Sequence, residues 1–273
     1  MHKLQRIYWK LFKNVFVSST SEFDVKEARI QSCRINVSKA SRLVIGRGSQ
    51  LVNCTIDLMD GSTLKIGENV VLRNMCVTMC QSQFVCGDAC RLSNAQIELL
   101  KNSKLSLGEA CVVEQGDWWR GPIWRISDGS QVNVADHNRI RCNIEARFEG
   151  KCKIGQYNCL NEDTEIRTDE SVVIGDYNMI SYHCRIWDTD THCFYQDDTR
   201  RRMTERMYPI IGAEKEKPVS RPVEIGSDNL IGERAAILKG SAVGNYCKVG
   251  YGVVVANKKI ANHTTFVGKS ILK

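Results

Sequence analysis

The sequence predicts an all-β fold, a solenoid of triangular parallel coils. Three observations predict it: a repeat of about 20 residues through the first two thirds of the chain, a strict six-residue repeat near its end, and an aliphatic-then-small signature common to both. The segments LVIGRGS, LKIGENV, FVCGDAC, LSLGEAC, VNVADHN, CKIGQYN and VVIGDYN share one register. Their anchors Ile45, Ile66, Cys86, Leu107, Val134, Ile154 and Ile174 are spaced by 21, 20, 21, 27, 20 and 20 residues. Beyond them Ile225, Ile231, Ile237, Val243, Val249 and Val255 recur every six residues, and Gly226, Gly232, Gly244, Gly250 and Ala256 follow five of them. An α-helix has no six-residue period, and a flat strand repeats every two. A short strand ending in a tight corner fits, with the aliphatic inward and the small residue allowing an unusual backbone at the bend. Three such units close a coil of about 18 residues, and the longer coils enlarge one corner. Stacked at about 4.8 Å, ten coils would make a prism roughly 45 Å long.

The open ends of a solenoid expose strand edges and need covering. Residues 1–17 are expected to form an amphipathic helix, with Leu4, Ile7, Tyr8, Leu11 and Phe12 on one face and Lys3, Arg6, Lys10 and Lys13 largely off it. A cap on the first coil is the preferred role, and peripheral contact with a membrane surface is the alternative. Residues 18–273 then form one solenoid domain, with a loop inserted at 187–222. At 42% hydrophobic and 25% charged residues the composition is that of a globular protein, and only four prolines are present. No apolar run approaches the roughly 20 residues that span a bilayer, so a cytoplasmic location is expected. Thirteen cysteines without a secretory leader read as thiols. The group Cys76, Cys80, Cys86 and Cys90 lacks the spacing of zinc knuckles. A formal net charge of +7 leans toward an anionic partner, and no nucleic-acid-binding motif accompanies it.

Function on a repeat protein gathers where the repeat is interrupted. The 27-residue spacing holds GDWWRGPIWRI, where Trp118, Trp119 and Trp124 with Arg120 and Arg125 could stack on sugar rings and bind acidic groups. Packing against a neighbouring subunit or the prism wall is the competing role. The 51 residues from Ile174 to Ile225 exceed a coil by about 30, and WDTDTHCFYQ stands at the start of that excursion. His192 in this stretch could be a base, a metal ligand or a polar turn residue.

TDTH at 189–192, KPVSRPVEIGSDNLIGERAAILKGSAVGNYCKVGYGVVV and HTTFVGKSILK resemble the hexapeptide-repeat acyltransferases. The similarity is greatest to the branch of maltose, galactoside and polysaccharide O-acetyltransferases, and it covers roughly residues 150–270. The resemblance implies a left-handed parallel β-helix, a homotrimer, acetyl-CoA bound between two prisms, and His192 as general base on the acceptor hydroxyl. It also implies Asn161 as an acceptor-side catalytic residue and Asp169 as an acceptor contact. Two positions depart from the family pattern: Leu230 stands where a tryptophan is usual, and Gly268–Lys269–Ser270–Ile271 where Gly-Asn-Pro-Ala-Lys is usual.

The chemistry can be followed on the residues. A neutral imidazole suits deprotonation of an attacking alcohol, with Asp188, Asp190 or a backbone carbonyl to orient it. An oxyanion donor would be a backbone N–H at a corner near Gly232 or Ser241. Cations for the CoA phosphates would come from Lys239, Lys258 and Lys259, with Lys248 and Lys269 as further candidates. A zinc site would need His137, His183 and His192 to converge, and His137 lies more than two coils from His183, so no metal is expected. The reading is a cytoplasmic, trimeric, acetyl-CoA-dependent O-acetyltransferase of a saccharide hydroxyl, on a surface polysaccharide such as a capsule or on its precursor. Alternatives are an N-acyltransferase of an amino sugar, a xenobiotic acetyltransferase, or a non-catalytic solenoid scaffold.

Overall fold

The computed structural model describes Tyr8, Leu11 and residues 13–115, 121–196, 198–210, 212 and 216–267. Three parallel sheets of eleven strands each wrap one core. Face 1 runs from Val15–Val17 to Val254–Ala256, face 2 from Glu22–Val25 to Lys259–Ile260, and face 3 from Arg29–Gln31 to Thr265–Phe266. The chain visits faces 1, 2 and 3 in turn, so each coil has an edge 1–2, an edge 2–3 and an edge 3–1.

The anchors stack in one column on face 2. Ile45 pairs with Ile66, Ile66 with Cys86, Cys86 with Leu107, and so on through Val134, Ile154, Ile174, Ile225 and Val243 to Ile260. The hexad residues take one face each: Ile225 on face 2, Ile231 on face 3, Ile237 on face 1, then round again. Strand residues alternate inward and outward, so the aliphatic set forms a single buried column of branched side chains. Cysteine fills the same slots as a small hydrophobe. Cys142 and Cys152 are buried, and burial pushes the Cys152 thiol up to about 12.

The small residue at edge 2–3 has a different cause from the one expected. A Cβ on Gly46 would lie 2.4 Å from the carbonyl oxygen of Gly67, so close approach of successive coils excludes a side chain there. The left-handed residue comes two positions later and is seldom glycine: Asn69, Tyr157 and Tyr177 all have φ of 56°. Beneath this corner runs a ladder of buried asparagines. The amide nitrogens of Asn158, Asn178 and Asn229 donate to the Oδ1 of Asn138, Asn158 and Asn178 at 2.8, 2.8 and 3.0 Å. Each asparagine thus satisfies backbone groups that the turn would otherwise leave buried and unpaired.

The solenoid begins at Val15, inside the expected 1–17 helix, because Val15–Val17 pair with Ile35–Val37. Leu4, Ile7 and Phe12 of the expected cap lie outside the described residues. The inserted segment leaves face 1 after Trp187 and returns to face 2 at Val223, as the spacing predicts. It carries one helix, α1 (Thr199–Met207), none of whose residues is buried. No helix among the described residues is long and apolar enough to cross a membrane.

Candidate active site at the root of the inserted loop

The loop is fastened to the solenoid by the residues around TDTH. Asp188 is fully buried, and its carboxylate accepts from the amides of Asp169, Glu170 and Ser171 at 2.8, 2.9 and 2.6 Å and from the Thr168 hydroxyl at 2.9 Å. Burial raises its pKa against the opposing pull of those donors. Asp188 therefore caps the preceding corner instead of orienting His192. Asp190 is paired with Lys239 across the loop root, and Thr189 bridges antiparallel to Ser220. Farther out, Tyr195 donates to Glu216 at 2.8 Å and joins the two arms of the loop.

His192 stands just beyond this anchor. Its side chain is exposed and makes no hydrogen bond among the described residues, which leaves both ring nitrogens open. Neither Asp188 nor Asp190 orients the imidazole in this chain. Thr191, immediately before it, adopts a φ of 66°, with its amide donating to the Thr189 hydroxyl at 3.1 Å.

Asp169 lies under the same root, 1% exposed. Arg147 grips it with two parallel hydrogen bonds of 3.0 and 2.9 Å, and the Thr189 hydroxyl donates to it at 2.6 Å. Such a bidentate pair fixes the wall on which the TDTH stretch rests. Arg147 had no signal in the repeat pattern, since it occupies an ordinary corner position. Ser241 is buried and donates its hydroxyl to the Val255 carbonyl at 3.1 Å. Lys258 and Lys259 are exposed on the last described coil, with the Lys258 ammonium 5.9 Å from the centre of the Phe266 ring.

Two expectations are corrected. Trp124 is 1% exposed, in the face 1 strand Ile123–Ile126, and its indole N–H donates to the Cys142 carbonyl at 3.0 Å. It is a core residue and presents no ring to a sugar. The amide of Gly232 donates to the Val249 carbonyl at 2.8 Å, so the ladder between coils already uses the proton expected for an oxyanion. Trp118, Trp119, Arg120 and Lys269 lie outside the described residues.

The edges separate residues that the sequence reading had grouped. His192, Asp169, Lys239, Ser241 and Lys258 belong to edge 1–2, with Lys259 opening the adjoining strand of face 2. Asn161, Gly232 and the described ends of the 115–122 insertion belong to edge 3–1. His137, His183 and His192 fall on edges 2–3, 3–1 and 1–2, so one chain cannot gather them round one ion. His183 is a corner residue, its Nδ1 2.6 Å from Asp163.

With this geometry in place, comparison with known proteins gives one sequence relative and several folds. Over 127 residues the chain is 30% identical to "Probable acetyltransferase Rv3034c" of Mycobacterium tuberculosis, a stretch that is 46% of this chain and 36% of the relative. The similarity agrees with the resemblance read from TDTH and the late hexads. The chain matches about a third of that relative's length. No family model matches. Among solved structures, the polySia specific acetyltransferase NeuO aligns over 90% of this chain and 76% of its own at 15% identity and a TM-score of 0.37. An Arabidopsis UDP-N-acetylglucosamine acyltransferase aligns over 93% and 66% at 13% identity and a TM-score of 0.32. At these scores neither likeness bears on function.

Proposed function

We propose that the protein is an acetyl-CoA-dependent O-acetyltransferase of a saccharide hydroxyl, with His192 as general base. The observation that carries this reading is the placement of the TDTH motif. Asp188, Thr189 and Asp190 are all spent on fastening the loop, and His192 is left open to solvent at the fastened point. The similarity to an acetyltransferase supports the reaction class.

In the reaction the acceptor oxygen attacks the thioester carbonyl while His192 takes its proton. The tetrahedral intermediate collapses with loss of the CoA thiolate, which is protonated by the imidazolium or by solvent. Lys258 on the His192 edge and Lys259 on the adjoining strand are exposed cations available to the CoA phosphates. Lys239 is held by Asp190 and acts as a positioning residue.

Asn161 and His192 stand on different edges about one coil apart, so one solenoid cannot place both on the same acceptor. A neighbouring copy bringing its edge 3–1 to this edge 1–2 would, and a cyclic homotrimer of three-sided prisms supplies three such meetings. The projecting loop supports that assembly: Phe194 is 83% and Tyr208 75% exposed, and no residue of α1 is buried.

Thiol release from acetyl-CoA over neutral, amino and acidic oligosaccharides tests the reading, with wild type and His192→Ala in parallel. Wild type is expected to release CoA on at least one acceptor, and His192→Ala to be slower by about 100-fold or more. Equal rates would remove His192 from the chemistry. No release on any acceptor would favour the scaffold alternative.

A further inference from the structure

A groove of about 1380 Å³ leads away from the loop root along edge 1–2, from Ser171 to Gly61, with Lys217 of the inserted segment also in its lining. It passes six successive corners, so at about 4.8 Å per coil it is roughly 24 Å long. That is the length of a chain of several linked rings, not of one small acceptor.

One wall is a column of strand-opening residues on face 2. Thr63, Gln83, Lys104, Gln131, Lys151 and Ser171 are paired in register, each followed by a buried neighbour, so each points outward. The other wall is made by corner residues in the left-handed region, among them Gln81, Asn102 and Glu149 with φ of 50°, 63° and 61°. Both walls stand on the hydrogen-bonded ladder of the coils, which lowers the cost of ordering them around a ligand.

The chemistry of the walls selects the occupant. Among the described residues four lysines, Lys104 and Lys151 among them, share the lining with Asp128, Glu149 and Glu170, while the charge of Asp169 is taken up by Arg147. That near balance does not suit a densely charged polyanion such as nucleic acid, which needs an excess of cations along its length. Among the described residues Phe148 is the one aromatic side chain in the lining, so they offer an acyl or apolar peptide chain no hydrophobic floor. Amides, hydroxyls and charges of both signs at successive coils offer donors and acceptors to a hydroxyl-rich chain.

We infer that this groove binds an extended, hydroxyl-rich and nearly uncharged glycan, and that such a chain, not a free monosaccharide, is what the loop root receives. The inference rests on the acyltransferase reading only for its second half. Binding along the groove stands on the wall geometry.

Native gel electrophoresis of the full chain in gels containing dextran or alginate, at low and high salt, tests it. Dextran is expected to retard wild type with little dependence on salt. Gln83→Ala/Gln131→Ala, two outward side chains outside the core, should weaken retardation roughly ten-fold while melting as wild type does. His192→Ala should be retarded like wild type, so a failure of the catalytic reading shows in thiol release and leaves this result untouched. Absence of retardation in dextran would overturn the proposal. So would retardation in alginate alone that salt abolishes, or an unchanged response of the double variant.

Discussion

Edge 2–3 and edge 1–2 of the prism are corners of the same repeat, yet one is sealed and the other carries the long inserted loop. At edge 2–3 successive backbones touch at glycine, and asparagines stacked beneath them use their amides to close the turn. Nothing can be inserted there without losing the contact that holds adjacent coils together. At edge 1–2 the turn is wider, its left-handed residues include Gln81, Asn102 and Glu149, and the chain leaves for 35 residues between Trp187 and Val223 before resuming the register. The difference teaches where this solenoid carries its long insertion: away from the edge at which coil after coil is closed by glycine contact and stacked asparagines.

The comparison can be broken first at the sealed edge. Gly46→Val is expected to cost about 4 kcal/mol or more, since every atom close to the new Cβ belongs to the backbone of the next coil. A urea titration checks it, and a loss below about 1 kcal/mol would mean that the edge is not sealed by contact. Asp188→Ala should come next, at about 3 kcal/mol, because three buried amides and the Thr168 hydroxyl lose their acceptor together. Its melting temperature and its thiol release should fall together, and a loss of activity without a loss of stability would make Asp188 a direct partner in catalysis. The smallest effect on stability belongs to the loop itself. Residues 193–216 begin and end close together, with the Cys193 thiol 3.6 Å from the Glu216 carbonyl, so a short glycine link can replace them. That deletion should change stability by no more than about 1 kcal/mol while abolishing turnover, as measured by the same titration and assay.

Much of this was legible in the sequence. The anchor spacing predicted which residues stack, since a buried aliphatic must return to the same face once per coil, and Ile45 through Ile260 do so. The long gap before Ile225 predicted the loop and placed His192 at its root. Edge assignment was not legible from the period alone, because it requires the count of strands within each coil. Asn161 and His192 therefore looked like neighbours in one site when the prism sets them on different edges. Trp124 misled for a related reason: alternation along Ile123–Ile126 turns the second residue inward, a fact hidden while the insertion before it obscured where the strand starts. The roles of Asp188 and Arg147 were illegible because their partners lie a coil away. Only the stacked corner shows that the carboxylate just before TDTH, Asp188, caps the turn at 169–171.

The central claim is that catalysis needs edge 1–2 of one copy and edge 3–1 of another, and subunit mixing tests it most directly. His192→Ala and Asn161→Ala are each made alone and then co-expressed in equal amounts, and thiol release is measured on the purified mixture. Each variant alone should be nearly inactive. If His192 and Asn161 come from different copies, about one site in four in a randomly mixed trimer regains both intact side chains, and activity should return to about a quarter of wild type. Activity no higher than the mean of the two single variants would contradict the account.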